Sequence, residues 1–175
     1  MEQKLKEQDW KLEDLFLALN EFPSAGFLDS FIYIAQDLEV LKPKYKFHYT
    51  VGTSGLPSSP EVYDDIHFLE DNRFIYIRYN YLGIFTESIG EMKLNKSYIN
   101  KYCSLNNKTQ ERLRKIAKVD AARIDSLATI LHVKKLSFPD VPKENLRDKL
   151  SDRFLVSKNK MNEYFMQLRE LEYQI

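Results

Sequence analysis

Apolar residues in this chain recur mostly at intervals of three and four and alternate singly in only two short stretches, which limits the fold before anything else does. Helical spacing puts positions i, i+3, i+4 and i+7 on one side of a helix, whereas strict alternation marks a half-buried strand. Leu12, Leu15, Phe16 and Leu19 predict a helix over 9–21, stopped by Pro23. Leu28, Phe31, Ile32, Ala35 and Leu38 predict a second over 26–40, with Asp29, Gln36, Asp37 and Glu39 off its stripe and Pro43 beyond its end. A third begins at Ser59, whose hydroxyl can cap it with Pro60 in the first turn, or at a capping box of Ser58 and Glu61. Val62, Ile66 and Leu69 then face a core up to about residue 72.

The first alternating stretch sets Tyr45, Phe47 and Tyr49 against Lys44, Lys46 and His48, a short strand before the loop that carries Gly52 and Gly55. The second, Arg73 through Tyr79, predicts a hairpin whose return strand is Ile84, Phe85 and Thr86. Residues from 89 to about 107 read as polar and irregular. Leu113, Ile116, Ala117, Ile124, Leu127, Ala128 and Leu131 then follow helical spacing over 109–132, as one helix or as two with Asp120 capping the second. Helices over 143–154 and 157–173 complete the chain. Five glycines in 175 residues leave little room for a tight-turned β-rich fold or for several glycine loops. The expected class is α+β and predominantly helical. Helix, helix, helix, hairpin is the order of a winged helix, so 1–92 are expected as a winged-helix-like unit with a β-hairpin. Residues 93–175 are expected as a basic segment and C-terminal helical extension, packed on the first part as one domain.

A family resemblance rests on several runs. They are Leu28-Asp29-Ser30-Phe31-Ile32-Tyr33-Ile34-Ala35, Tyr45-Lys46-Phe47, Gly55-Leu56-Pro57-Ser58-Ser59, Val62-Tyr63-Asp64-Asp65-Ile66-His67-Phe68-Leu69, Arg73-Phe74-Ile75 and, later, Ile124 through Leu131. In this order they resemble the prokaryotic YwgA-like and Panacea-type domains. The chain departs from that pattern where Leu56 separates Gly55 from Pro57, and where Gly26, Phe27 and Asp29 stand in place of basic residues. The resemblance implies an intracellular, non-enzymatic helical domain, with some relatives acting as antitoxin modules that bind a toxin protein. It transfers no catalytic residues.

Charge is unevenly placed. The formal total is zero, 26 basic against 26 acidic residues, but 1–92 hold 8 basic and 16 acidic side chains while 93–135 hold 11 basic and 3 acidic. The basic set, Lys108, Arg112, Arg114, Lys115, Lys118 and Arg123 foremost, suits phosphates, or it neutralises the acidic half, or it is a solvated helix face. Lys42, Lys44 and Lys46 are an auxiliary set. The third helix carries Glu61, Asp64, Asp65, Glu70 and Asp71 and no cation, so in a major groove it would face phosphates with five negative charges. Groove reading by that helix is not expected.

Residue types that carry chemistry are sparse. Asp64, His67 and Asp71 share a helix face at a spacing that can ligate a metal, but no second His-bearing motif completes a site, and His48 and His132 lie elsewhere. No metal is expected. The Gly52 and Gly55 loop lacks the lysine of a phosphate-binding loop and reads as a connection. Cys103 has no neighbouring His, and a lone cysteine forms no intrachain disulfide. Tyr76 and Arg78, or Ile75, Ile77 and Tyr79, are left to solvent by the hairpin, and packing is the preferred role. In the last helix Tyr164, Phe165, Leu168 and Leu171 either close the domain or form a homodimer or partner-helix face. No stretch approaches the roughly 20 apolar residues of a membrane span, and the charged start is unlike a signal peptide. The reading is a cytoplasmic, non-enzymatic protein-interaction or regulatory module without cofactor, bound to a protein partner or to itself and to no membrane. The alternative is a nucleic-acid-binding regulator that uses residues 108–123.

Overall fold

The computed structural model describes residues 9–49, 56–81 and 87–173. Along the chain run α1 (Leu12–Leu19), β1 (Glu21–Phe22), α2 (Ala25–Asp37), β2 (His48–Tyr49), β3 (Pro57–Ser58), α3 (Pro60–Asp71), β4 (Ile75–Tyr81) and β5 (Glu87–Leu94). A short 3-10 turn, Lys96–Tyr98, leads to α4 (Asn107–Ala117), α5 (Ala121–Ser137), α6 (Lys143–Phe154) and α7 (Lys158–Glu170). The fold is α+β and mostly helical. No helix among the described residues is long and apolar enough to cross a membrane.

The centre is α2, buried on nearly every side from Ala25 to Ala35, which explains its almost unbroken apolar sequence. Ser24 caps it by accepting the Phe27 amide at 3.1 Å. Phe16, Phe22 and Phe31 meet edge to face, with ring centroids 5.1 and 5.4 Å apart, and tie α1 and β1 to this helix. Asp14, buried near the start of α1, accepts the Lys11 amide at 2.9 Å and the Ser104 amide at 2.8 Å, anchoring the segment that leads into α4. The sole tryptophan, Trp10, is also buried. Its indole donates to the Lys42 carbonyl at 2.8 Å, its ring meets Tyr45 edge-on, and the Lys44 ammonium lies 5.4 Å from the ring centre.

The three-stranded antiparallel sheet has the order β1-β5-β4, with Phe22 opposite Met92 and Ile75 opposite Leu94. The register jumps from the Ile77–Met92 pair to the Tyr79–Ile89 pair, so Gly90 and Glu91 both stand against Arg78 in a β-bulge. The return strand extends into residues read as irregular. Ile84, Phe85 and Thr86 lie outside the described residues, and residues 89–94, read as irregular, are strand. The bulge breaks the alternation that would have exposed Met92 and Leu94 as core positions. A second small sheet pairs His48 with Ser58 and Tyr49 with Pro57.

The α3 cap is also corrected. Pro60 takes its first turn as expected, but the Ser59 hydroxyl donates to Glu61 at 3.1 Å and no side chain caps the helix. The carboxylate of Glu61 accepts the Lys46 amide instead, at 3.1 Å. Farther on, Asp120 divides two helices, its carboxylate accepting the Ala122 amide at 3.0 Å. The α5 helix lies along α2, where the Ser30 hydroxyl donates to Asp125 at 2.7 Å. Leu146, Leu150, Met161 and Leu168 carry the same buried cluster into the last two helices.

Candidate functional site

Val62, Ile66 and Leu69 are all buried, which fixes the inner face of α3 and turns Glu61, Asp64, His67, Phe68 and Asp71 toward solvent. Not all of its acid is free. Asp65 accepts the Tyr45 hydroxyl and pairs with Lys44 at 3.1 Å, and Glu70 accepts the Tyr79 hydroxyl at 2.6 Å. Asp64 and Asp71 make no hydrogen bond or ion pair among the described residues. Phe68 stands between them in sequence, 64% exposed, at the rim of a hollow of about 260 Å³ that Leu12 and Leu69 help to line. Lys11 and Lys44 line the same hollow, so Phe68 is a large exposed apolar side chain set between the carboxylates of α3 and two lysines of its neighbours. On the hairpin, Ile75 is buried while Tyr76 and Arg78 face outward.

The metal triad does not form. His67 Nδ1 is 3.8 Å from Glu70, and no group of three metal-ligating side chains gathers among the described residues. The Gly52 and Gly55 loop lies outside the described residues. Burial pushes the Cys103 thiol up against the opposing pull of the Leu105 backbone and Arg114, and the thiol sits 3.5 Å from the Asp14 carbonyl, surroundings that disfavour the thiolate.

The six expected phosphate-binding residues divide into two sets. Lys108, Arg112, Arg114 and Lys115 lie on α4, Lys118 ends that helix, and Arg123 is in the first turn of α5. Arg112 and Lys115 close onto Glu172 at 3.3 and 3.6 Å, and Arg112 also donates to the Leu38 carbonyl. Arg114 bonds Gln110 of its own helix at 3.1 Å. Lys108, Arg114, Lys118 and Arg123 remain exposed. Other cations of this segment reach into the acidic half, Lys93 to Glu21 at 3.5 Å, Lys101 to Glu13 at 3.3 Å and Lys135 to Asp37 at 3.6 Å. Part of the cancellation in net charge is therefore made inside the molecule. Of the auxiliary set, Lys44 is taken by Asp65 and Lys42 lies 3.9 Å from Asp9.

Phe165, Leu168 and Leu171 point into the chain's own core and offer no docking face. The reason is local: α5 and α6 cover that side of α7. Half-buried Tyr164 lines a groove of about 390 Å³ with Ile130, Phe154 and Met161.

Two features are absent from the sequence reading, both on α2. One is Asp29, buried against the Ser59 amide and the Tyr63 hydroxyl. The other is a polar node where Tyr33 and Asp37 face His132 and Lys135 of α5. A carboxylate and a tyrosine four residues apart on an otherwise apolar helix was the available signal. Compared with protein-family models, curated proteins and solved structures, the chain shows no match.

Proposed function

We propose that the chain is a non-enzymatic protein-interaction module that presents the outer face of α3 to a basic surface on a protein partner. The carrying observation is that face itself: Asp64 and Asp71 without an ion pair among the described residues, Phe68 exposed between them, and no lysine or arginine on the helix itself. The reading includes a winged-helix arrangement of the first half. It is supported by the order α1, β1, α2, α3, β4, β5 and by the pairing of β1 with β5, which closes the hairpin back onto the segment between the first two helices. In such an arrangement α3 is the recognition element, and its charge selects a cationic protein over phosphates. A cytoplasmic, antitoxin-like role accords with the YwgA-like resemblance.

The competing reading is nucleic-acid binding through exposed Lys108, Arg114, Lys118 and Arg123. The two separate by charge reversal. The full chain is used for affinity isolation from its native source, beside one variant with Asp64→Lys and Asp71→Lys and another with Lys108→Glu, Arg114→Glu and Lys118→Glu. A protein partner whose recovery falls at least about tenfold with the first variant and persists with the second is expected. Duplex or single-stranded DNA binding that weakens steeply with salt and vanishes in the second variant would overturn the proposal.

A further inference from the structure

A cavity of about 570 Å³ lies where the C-terminal half of α2 faces the last turns of α5, with Pro43, Tyr45 and Phe47 as its third wall. Tyr33 stands in this wall, only 7% exposed, and its hydroxyl has no hydrogen-bond partner among the described residues. That hydroxyl is itself shut off from solvent, so an occupant of the cavity meets the Tyr33 ring rather than its hydroxyl. Burial first, then the Asp37 charge, hold that hydroxyl neutral by pushing its ionisation up.

The charges around it select the occupant. Asp37 and Glu39 both line the cavity. The Asp37 carboxylate bonds Tyr173 and is largely shielded from water. Glu39 is held at the rim by a φ of 55°, a left-handed backbone uncommon outside glycine. The imidazole of His132, edge-on to Tyr33 at 5.4 Å, is kept neutral at pH 7 by burial and by Lys135, both of which push its pKa down. Lys135 supplies the one lining cation among the described residues. Its ammonium lies 3.6 Å from Asp37 on a side chain that is mostly in water, a tethered cation resting on the carboxylate.

We infer that this cavity binds a small organic amine, its ammonium at Asp37 and its apolar body against the Tyr33 ring, Pro43, Phe47 and Leu136. Aromatic walls beside a carboxylate suit a cation on an apolar body. An anion of the same shape would meet Asp37 and Glu39 with one exposed lysine to offset them. The lining of this cavity shares no residue with the outer face of α3, so separate variants test the two and either can fail without the other.

The test titrates the full chain with phenethylamine and with phenylpropanoate, an aromatic body of similar size and opposite charge, by calorimetry and amide chemical shifts. Saturable binding of the amine and none of the carboxylate is expected up to about 10 mM. Asp37→Asn lowers amine affinity at least about tenfold. Lys135→Gln raises it, because the tethered competitor is gone. That last change touches an exposed side chain and leaves the core intact, so it decides the matter even where Asp37→Asn unfolds. No saturable amine binding, equal binding of the carboxylate, unchanged affinity in a folded Asp37→Asn variant, or amine affinity that Lys135→Gln leaves unchanged or weakens overturns the inference.

Discussion

Asp29 lies 2% exposed in the middle of the most buried helix, and burial pushes its carboxyl from 3.8 up to about 7 despite the Ser59 amide and the Tyr63 hydroxyl, which favour the charged form. Between those two values the folded chain keeps a proton that the unfolded chain has released. Stability contributed by this group is therefore complete below about pH 4 and falls as pH rises through about 7, by on the order of 4 kcal/mol. Asp125 is raised in the same direction and His132 is lowered, so the readout is the difference between wild type and Asp29→Asn. Urea midpoints measured from about pH 5 to about pH 8 will show the variant gaining on wild type as pH rises. Parallel curves would falsify the assignment. A carboxylate beside Leu28 and Ser30 reads in sequence as the polar edge of a helix, and nothing local tells the reader that α3 and α5 cover that edge too.

At the scale of elements, legibility followed periodicity. The division at Asp120 and the start of α7 are visible because apolar spacing and capping residues agree, with Ser157 accepting the Lys160 amide as a cap should, whereas α6 follows Pro142 without a side-chain cap. The second hairpin strand was hidden for the opposite reason: one extra residue at the bulge shifts every later side chain to the other face. Gly90 sets the geometry of that bulge. A Cβ there would stand 2.5 Å from the Arg78 carbonyl oxygen and 2.6 Å from the Asn80 amide nitrogen, and the first of these belongs to the backbone. Gly90→Ala is expected to destabilise the protein by roughly 1–3 kcal/mol, read as a lower urea midpoint, with loss of β4–β5 amide protection first. The α3 surface was legible as acidic, and the spacing of Val62, Ile66 and Leu69 already left Phe68 off the core face, but only the packing shows that Phe68 stands 64% exposed.

Over the whole molecule, the acidic first part and the basic segment after it meet at a few ion pairs at the surface, Glu21 with Lys93 and Glu13 with Lys101 among them. Such pairs contribute about 0–1 kcal/mol each, so they orient the two parts without holding them together. What holds them is apolar: one buried cluster runs from Trp10 through α2 and α5 to Leu171. Tryptophan fluorescence and helical circular dichroism are accordingly expected to report one coincident unfolding transition, its midpoint little moved by added salt. Two separated transitions would mean that the halves fold apart.

The Lys44 ammonium lies above the indole of Trp10 and also grips Asp65 of α3. On the proposed reading a cationic partner docked at Asp64 and Asp71 would stand next to that carboxylate, and if it drew Asp65 away from Lys44 the charge over the ring would move. The protein thus carries its own optical sensor, one fluorophore wired by a single side chain to the helix it would use for recognition.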